Sequence, residues 1–328
     1  MKYRPCLPLM LFIAMSAQAF SQDPVSAHFF ANSILLNPAL AGVEGPVKIH
    51  TGYRNQWPNT GSSFVTYQAA YDQFIEPIDG GLGIQVLNDK QGDGAFNSYN
   101  LDIMYSHQFA VSRRLSFSGG LQAGIGQRSF NPVNLRFGDM IDPVTGNTTA
   151  LSEEILGYSE FYPDFAVGIA AFYDYFHGGA SIRHIFNPVI IEGDTLTGTI
   201  SRKYAAYVGA VIPVIERRRG KEIMKLSPSM VFIQQRNVQQ INYGLDVIFR
   251  DFLAGLHTRH DLSLNYGNII FSAGYISTNF RFRYSYDMRL SSPTIRLPNM
   301  GAHEFSLIFI YNNEGKRKHT GTIKCPKI

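Results

Sequence analysis

Hydrophobic and polar residues alternate one by one through the segment from Phe280 to Arg289. The even positions carry Phe280, Phe282, Tyr284, Tyr286 and Met288, and the odd positions carry Arg281, Arg283, Ser285, Asp287 and Arg289. Because successive side chains of a strand point to opposite faces, this segment predicts a strand with one aromatic and one charged face. In a soluble sandwich the charged face meets water, whereas in an outer-membrane barrel the aromatic face meets lipid and the charges line the lumen.

The same alternation recurs along the chain in runs of about ten residues, the length that a tilted strand needs to cross a bilayer. The clearest runs are 65–72, 100–106, 116–125, 164–171, 241–250 and 304–311. Weaker runs are 47–56, 81–87, 178–184, 204–214, 229–235, 253–258 and 268–276. We therefore predict an all-β fold, a transmembrane antiparallel barrel of about fourteen strands.

The connections between these runs alternate in length. Those after the even strands are short, at 110–113, 174–176, 250–251 and 277–279. Those after the odd strands include the long 127–161 and 185–202 and the moderately long 290–302. Short periplasmic turns and longer extracellular loops are typical of a barrel with both termini in the periplasm, and a soluble sandwich does not predict this parity.

The first residues predict export. Lys2 and Arg4 precede an apolar run from Leu7 to Met15, and small residues around Ala19 follow. This order is typical of a secretory signal peptide, here 1–22, with cleavage near Ala19 or Gln22. No segment offers the roughly 18 apolar residues of a spanning helix. The expected organisation is then an N-terminal periplasmic or plug segment at 23–46, an outer-membrane barrel at 47–311 and a C-terminal periplasmic tail at 312–328.

Composition excludes several classes of function. Removing Lys2 and Arg4 from the 29 Lys and Arg residues leaves 27 basic against 25 acidic residues, too small a surplus to indicate nucleic-acid binding. Once Cys6 is lost with the signal peptide, Cys325 remains alone, which excludes an intramolecular disulfide and a cysteine metal site. We expect no cofactor and no resident metal.

Two kinds of chemistry have candidate residues, and each has a simpler explanation. His257, His260 and Ser263 suit an outer-membrane hydrolase only if a His and a Ser pair on the lipid-facing wall; a polar loop is the simpler reading. The sets Asn88, Asp89, Asp93 and Asp139, Asp142, Asn147 offer oxygen ligands for calcium, but neither has the spacing of a calcium loop. We therefore expect solvated turns, and no catalysis.

The polar faces of the strands predict a hydrated or plugged lumen. Small residues at 119–126 and 178–180 would allow an inward-folded loop or the N-terminal segment to lie close to the wall. Relief of strain where the barrel curves is the alternative explanation. Basic residues at 217–221 and 316–318 are candidates for docking an acidic partner or the anionic inner leaflet, or are simply solvated.

Four short motifs, in this order along the chain, resemble those of one family. They are Asn37-Pro38-Ala39-Leu40-Ala41-Gly42, Tyr53-Arg54-Asn55-Gln56-Trp57, Tyr284-Ser285-Tyr286-Asp287 and Gly301-Ala302-His303-Glu304-Phe305-Ser306-Leu307. The sequence resembles the PorP/SprF family, outer-membrane barrel components of the type IX secretion system of Bacteroidetes. The resemblance covers the mature chain from end to end. One departure is the tail at 312–328, which follows the last strand where many barrels end on an aromatic residue.

The resemblance implies a non-enzymatic, monomeric subunit of the secretion and gliding motility machinery. Its implied partners are periplasmic and lipoprotein components and secreted adhesin-like cargo, in contact with outer-membrane lipid. A passive porin-like channel is the second hypothesis, and the hydrolase is the third.

The motif residues also have physical roles of their own. Pro38 fixes a turn and Gly42 permits a tight bend before the first strand. Trp57 is a candidate anchor at the membrane interface. Arg54 is a candidate for a lumenal ion pair with Asp287 or Glu304, because strand alternation puts it on the polar face.

Overall fold

The computed structural model describes residues 23–45, 47–58, 63–132, 135, 157–191, 198–216, 222–262, 267–290 and 301–311. Its strands are β1 Val47–Gln56, β2 Phe64–Ile75, β3 Gly80–Gln91, β4 Phe96–Ala110, β5 Leu115–Phe130, β6 Tyr158–Tyr173, β7 Phe176–Arg183, β8 Val189–Ile191, β9 Gly198–Thr199, β10 Lys203–Ala210, β11 Ile212–Glu216, β12 Glu222–Gln235, β13 Val238–Phe249, β14 Phe252–Asp261, β15 Gly267–Ile276, β16 Phe280–Leu290 and β17 Gly301–Tyr311. The helical turns are α1 Ser33–Leu36 and two 3₁₀ turns, Pro38–Leu40 and Glu76–Ile78.

Antiparallel pairing between neighbouring strands closes the sheet into a barrel. β1 pairs with β17, and both β10 and β11 pair with β12, so the ladder runs continuously around the circle. β10 and β11 form one strand that is interrupted at Val211, and the wall therefore has 14 strands, which confirms the predicted fold class. β8 and β9 form a separate small hairpin.

The two faces of the wall are inverted relative to a soluble protein. In β6 the outward Phe161 and Ile169 are 68% and 67% exposed, whereas the inward Tyr162 and Ala166 are 2% and 1% exposed. In the opening segment, now β16, Arg283 and Asp287 point inward and form ion pairs in the lumen, and Phe282 is exposed on the outside. The predicted assignment of faces is confirmed by this strand. The part of the chain that the structure describes contains no helix both long enough and apolar enough to cross a membrane.

Several strands are longer than predicted. β4 has 15 residues, β5 and β6 have 16 each, and β12 has 14. The prediction of a loop at 127–161 was therefore wrong at both ends, because β5 continues to Phe130 and β6 begins at Tyr158. Cross-strand aromatic pairing explains the extension: Phe96, Phe130 and Tyr158 lie in register, with the first two rings stacked at 4.7 Å.

The parity of the connections agrees with the prediction. The short turns lie at one end of the barrel, at 111–114, 174–175, 250–251 and 277–279, and we call this the short-turn end. The strand ends that border 131–157, 184–202 and 291–300 lie at the opposite end, which we call the long-loop end; the connections 92–95 and 236–237 at this end are short. The connection at 184–202 contains β8 and β9, and its Ile190 and Ile200 pack on lumenal Tyr162. The tail and both basic clusters lie outside the described residues.

Candidate functional site

Residues 23–45 lie inside the barrel, and we call this segment the plug. Its residues contact several different strands of the wall. The Gly42 amide donates to Asp72 on β2 at 3.0 Å, while the Asn37 amide group donates to the Ile169 carbonyl on β6 at 2.9 Å. Asn37, Ala39 and Ala41 have no solvent exposure. The sequence left two locations open for this segment, the periplasm and the barrel lumen. In the structure it lies in the lumen.

The motif that begins at Asn37 gives the plug its shape. The Asn37 side chain accepts a hydrogen bond from the Ala39 amide at 2.9 Å, and Pro38 begins the 3₁₀ turn. Gly42 has φ +64°, and a Cβ on it would lie 2.6 Å from the Gln73 carbonyl oxygen of the wall. The predicted turn and tight bend are therefore both present. The bend lies against the wall, which leaves no room for a side chain.

Glycines allow the plug backbone to touch the wall. A Cβ added to Gly81 of β3 would lie 1.9 Å from the Ala41 carbonyl oxygen, and one added to Gly120 of β5 would lie 2.2 Å from the Ala39 nitrogen. A Cβ on Gly168 of β6 would lie 1.9 Å from Asn37 Oδ1. No other residue fits at these distances. The predicted close approach at 119–126 is met at Gly120; the sequence analysis missed Gly81 and Gly168.

Apolar side chains continue this contact around part of the lumen. The plug residues Leu36, Leu40 and Val43 form one buried cluster with the wall, and Ile34 and Ala41 belong to a second. We call the wall side of these contacts the small-residue wall, formed by β3 to β7, β10 and β12. Its members are Gly81, Gly83, Met104, Gly120, Gly168, Ala170, Phe172, Ala205, Tyr207, Val231 and Ile233, together with Ser106, Ser118 and Ser181.

Three serines satisfy the backbone carbonyls that this packing buries. Ser106 donates to the Ala41 oxygen at 2.6 Å, Ser118 to the Ala39 oxygen at 2.7 Å and Ser181 to the Leu36 oxygen at 2.7 Å. Each serine lies on a different strand of the small-residue wall. A buried carbonyl without a donor is destabilising, so these serines allow the helical turns of the plug to lie in an apolar setting. The sequence signal that could have identified these serines is their position on the inward face of the strand alternation.

Charged side chains dominate the opposite part of the lumen. Arg54 on β1 pairs with Asp287 at 2.9 Å and with Glu304 at 3.1 Å, and all three side chains are at most 8% exposed. The sequence predicted one of these two pairs, and both form. Arg259 also pairs with Asp287, at 3.0 Å. Glu304 in turn accepts a hydrogen bond from the Ala27 amide at 2.7 Å, which attaches the plug to this network.

Further ion pairs extend this region towards the short-turn end. Arg283 pairs with Asp246 at 2.9 Å, and Arg281 pairs with Glu44 of the plug at 2.8 Å. Although burial raises the pKa of the Glu44 carboxyl, Lys48 and Arg281 lower it below its ordinary value. We call this region the charged wall, formed by β1, β13, β14, β16 and β17. Its members are Arg54, Asp246, His257, Arg259, Arg281, Arg283, Asp287 and Glu304.

At the long-loop end, Asp23 fastens the start of the plug. Its carboxylate lies 2.8 Å from His184 Nε2, 3.3 Å from Arg128 and 3.6 Å from Lys203. Burial raises the pKa of the Asp23 carboxyl, but these three cations together hold it well below its ordinary value. His184 also lies 2.9 Å from Asp164. Burial lowers the pKa of His184, but the two carboxylates outweigh burial and raise it.

The remaining motif residues form an aromatic group on β1, β16 and β17. The Tyr284 hydroxyl lies 2.8 Å from His303 Nδ1, and the Tyr286 ring lies 5.0 Å from the His303 ring. The Tyr53 ring lies 5.3 Å from that of Tyr67 on β2. The motifs therefore supply both faces of one stretch of wall: Arg54, Asp287 and Glu304 inside and the aromatic residues outside. The alternation of residues within these motifs had predicted this division.

Trp57 and Gly301 lie at the long-loop end of the same stretch. The Trp57 amide donates to the Gly301 carbonyl at 2.9 Å, and the Trp57 ring packs edge-on against Phe64 at 5.1 Å. A Cβ on Gly301 would lie 2.6 Å from the Tyr286 hydroxyl oxygen, so a larger residue there would displace the Tyr286 ring. The position of Trp57 at the end of β1 suits an interface anchor, which stays a prediction.

The residues considered for catalysis and calcium binding are not arranged as those hypotheses require. His257 points into the lumen, where its Nε2 lies 3.1 Å from Asp246, and is not on the lipid-facing wall. Asn88 and Asp89 belong to β3 rather than to a turn, and Asp89 accepts from Thr66 at 2.6 Å. Strand alternation separates these two side chains onto opposite faces. Ser263, Asp139, Asp142 and Asn147 lie outside the described residues.

His257 instead meets a residue of the plug. The rings of His28 and His257 lie edge to face at 5.1 Å, and Arg283 contacts the His28 ring as well as Asp246. Burial lowers the pKa of His28 and Arg283 lowers it further, so this imidazole is neutral near neutral pH. The sequence analysis missed this group because His28 and Asp246 are far apart in the chain.

Two larger cavities border the described part of the plug. One, of about 510 Å³, opens at the long-loop end and is lined by Asp23, Arg54, Trp57, Arg259 and Asp287, among others. The other, of about 270 Å³, lies towards the short-turn end and is lined by Phe30, Ala31, Asp246, Arg281 and Arg283, among others. The plug lies between them.

Comparison with known proteins gives one family and a set of similar folds. The family model described as type IX secretion system membrane protein PorP/SprF matches residues 18–309. No protein of curated function matches the sequence significantly. Among solved structures, the Ralstonia pickettii toluene transporter TbuX has 10% identity and a TM-score of 0.47, covering 84% of this chain and 91% of its own. The P. putida toluene transporter TodX has 11% identity and a TM-score of 0.46, covering 85% and 94% respectively. A Pseudomonas aeruginosa FadL homologue has 11% identity and a TM-score of 0.46, covering 84% of this chain and 93% of its own. These likenesses concern the barrel alone.

Proposed function

Because this chain belongs to the PorP/SprF family of type IX secretion system membrane proteins, we propose that it is an outer-membrane subunit that works by binding partners. In this role it supports the export or surface attachment of secreted proteins, and its proposed partners are the periplasmic and lipoprotein components of the same apparatus. The long-loop end faces outward and the short-turn end faces the periplasm, as barrels of this type are oriented. The proposed role needs no catalysis.

The filled lumen is the observation that carries this proposal. The plug is attached to the small-residue wall by packing and serine hydrogen bonds and to the charged wall by ion pairs. A conduit for solutes would need a continuous water-filled path, whereas this barrel holds protein between its two cavities. A rigid, plugged barrel suits a membrane anchor whose end surfaces present binding sites to other components.

Crosslinking in intact envelopes followed by pull-down tests the role. We expect the tagged barrel to recover other type IX secretion components, and a deletion strain to lose secretion of at least one substrate. Recovery of none of them, together with normal secretion in the deletion strain, would contradict the proposal.

Conductance in a planar bilayer separates the proposal from the passive porin. The purified barrel should show no steady open pore, because the plug stays in place. Gly120→Val, which drives a side chain into the plug backbone, should show open events more often than Gly119→Val, whose Cβ has no neighbour within 4 Å. A steady pore in the unmodified protein would favour the porin.

A further inference from the structure

Three metal-ligating side chains from three separate parts of the chain meet inside the barrel. His28 comes from the plug, Asp246 from β13 and His257 from β14, and all three residues are buried. One ligand atom from each lies within 4.8 Å of the other two. Two imidazoles and a carboxylate are a frequent set of ligands for zinc.

The distances suit such an ion after small side-chain movements. Tetrahedral zinc with bonds of about 2.0 to 2.1 Å holds its ligand atoms roughly 3.3 Å apart. His257 Nε2 and Asp246 Oδ1 are 3.1 Å apart, close to that spacing. The His28 ring lies edge-on to the His257 ring with the centroids 5.1 Å apart, so that rotation of the ring about its own side-chain bonds can aim a nitrogen at the shared point.

We propose that a divalent zinc-like ion binds between His28, Asp246 and His257 and fastens the plug to the charged wall. The fourth ligand position is left for water, as in other zinc sites with three protein ligands. An ion here bridges the plug and two wall strands, so it opposes withdrawal of the plug. This inference goes beyond the proposed role in secretion and does not depend on it.

Arg283 is the competitor of the ion. Its guanidinium lies 2.9 Å from Asp246 Oδ2 and contacts the His28 ring. This positive charge therefore interacts with two of the three groups that would bind the ion. The cavity of about 270 Å³ that Arg283 lines gives this side chain room to turn away, and Asp246 lines the same cavity. An ion that enters this cavity would meet the Asp246 carboxylate.

Zinc titration of the full-length exported barrel, purified in detergent without a polyhistidine tag, tests the site. Isothermal calorimetry near neutral pH should give one Zn²⁺ per barrel and no response to Mg²⁺, which prefers oxygen ligands. His28→Ala and Asp246→Asn should each weaken zinc binding at least tenfold. His177→Ala removes another buried lumenal histidine, outside the cluster, and should leave zinc affinity unchanged.

Arg283→Gln gives the sharpest outcome because the expected effect has the opposite sign. Removing the competing cation should tighten zinc binding by tenfold or more, whereas a purely structural His–Asp group predicts no gain. Retained folding of every variant is checked by the heat-dependent shift of the barrel band in gel electrophoresis. Equal zinc affinity in the unmodified protein, His28→Ala and Arg283→Gln would overturn the proposal, and so would the absence of any zinc binding.

Discussion

The two walls of the lumen hold the same plug by different physical means. The small-residue wall contacts it through glycines, apolar side chains and serine hydroxyls, with Gly120 under the Ala39 backbone. The charged wall contacts it through carboxylates, guanidiniums and a histidine, with Glu304 on the Ala27 amide and Arg281 on Glu44. Packing against the small-residue wall sets how closely the plug approaches the strands. The ion pairs of the charged wall set the position of the plug's charged residues along the barrel axis.

The difference indicates which kinds of substitution each wall tolerates. Packed glycines leave no space, so the small-residue wall should be sensitive to added volume and indifferent to charge screening. The charged wall has side chains with space around them, including both cavities, so its weakness is loss of a charge partner. Buried ion pairs contribute little net stability when complete, but a broken pair leaves a buried charge.

The largest effect is expected from Arg54→Ala. This change leaves Glu304 without its guanidinium partner and removes one of two from Asp287, in sites that are almost fully buried. Loss of one partner of a buried pair costs about 3 to 5 kcal/mol. Denaturant unfolding of the barrel in detergent measures the change. The exposed pair of Arg114 with Asp174 provides the control, because Arg114→Ala should cost about 1 kcal/mol or less.

Addition of a single methyl group should have different effects on the two faces of β5. Gly120→Ala puts a Cβ within 2.2 Å of the plug backbone, whereas Gly119→Ala meets nothing within 4 Å. Overpacking of this kind costs about 1 to 3 kcal/mol. Protease sensitivity of the plug should rise for the first variant and not for the second. Equal protection in both variants would show that the plug does not rest on β5.

The serine contacts should have a smaller effect. Ser181→Ala removes the hydroxyl that donates to the Leu36 carbonyl at 2.7 Å and leaves that oxygen buried. A loss of about 1 kcal/mol is expected in the same unfolding assay. Ser277→Ala, in the exposed turn after β15, is the matched control and should be near neutral. Identical unfolding midpoints for both variants would argue against a role for the wall serines.

The smallest effect is a pH dependence at the start of the plug. The pKa of Asp23 is lowered from 3.8, so its contribution is present above that value and is lost as the pH falls through the lowered pKa. The pKa of His184 is raised from 6.5, so its contribution is complete below that value and is lost as the pH rises through the raised pKa. The contributions of Asp23 and His184 are therefore both complete between the two ordinary values.

Hydrogen exchange of the amides of residues 25–28, corrected for intrinsic rates, measures this dependence. Relative to His184→Gln, the unmodified protein should gain a few-fold protection at about pH 5.5 that is lost as the pH rises through the raised pKa of His184. The lowered pKa of His28 acts in the opposite direction in both proteins, so the comparison between them cancels its effect. The same pH dependence in both proteins would assign the effect to another group.

Much of the barrel wall could be predicted from local sequence patterns, whereas most contacts inside the lumen could not. β1 was predicted at Val47–Gln56 and is found there, and the turn at 250–251 is also found where the pattern had it. The ends of β5 and β6 were missed because Gln127 and Arg128 interrupt the apolar alternation, while pairing with a neighbouring strand extends both ladders. Pairing is a property of two segments, so a pattern within one cannot report it.

The sequence by itself determined the fold class, the two faces of each strand and the family motifs, because a period of two residues and short turns are local properties of the chain. Only the tertiary structure decided that Asn37 to Gly42 lies against Gly81, Gly120 and Gly168, and that His28 meets Asp246 and His257. The physical reason is that closure of the barrel brings together residues from distant strands. A contact inside the lumen depends on where every strand lies around the circle, and no single segment of sequence contains that information.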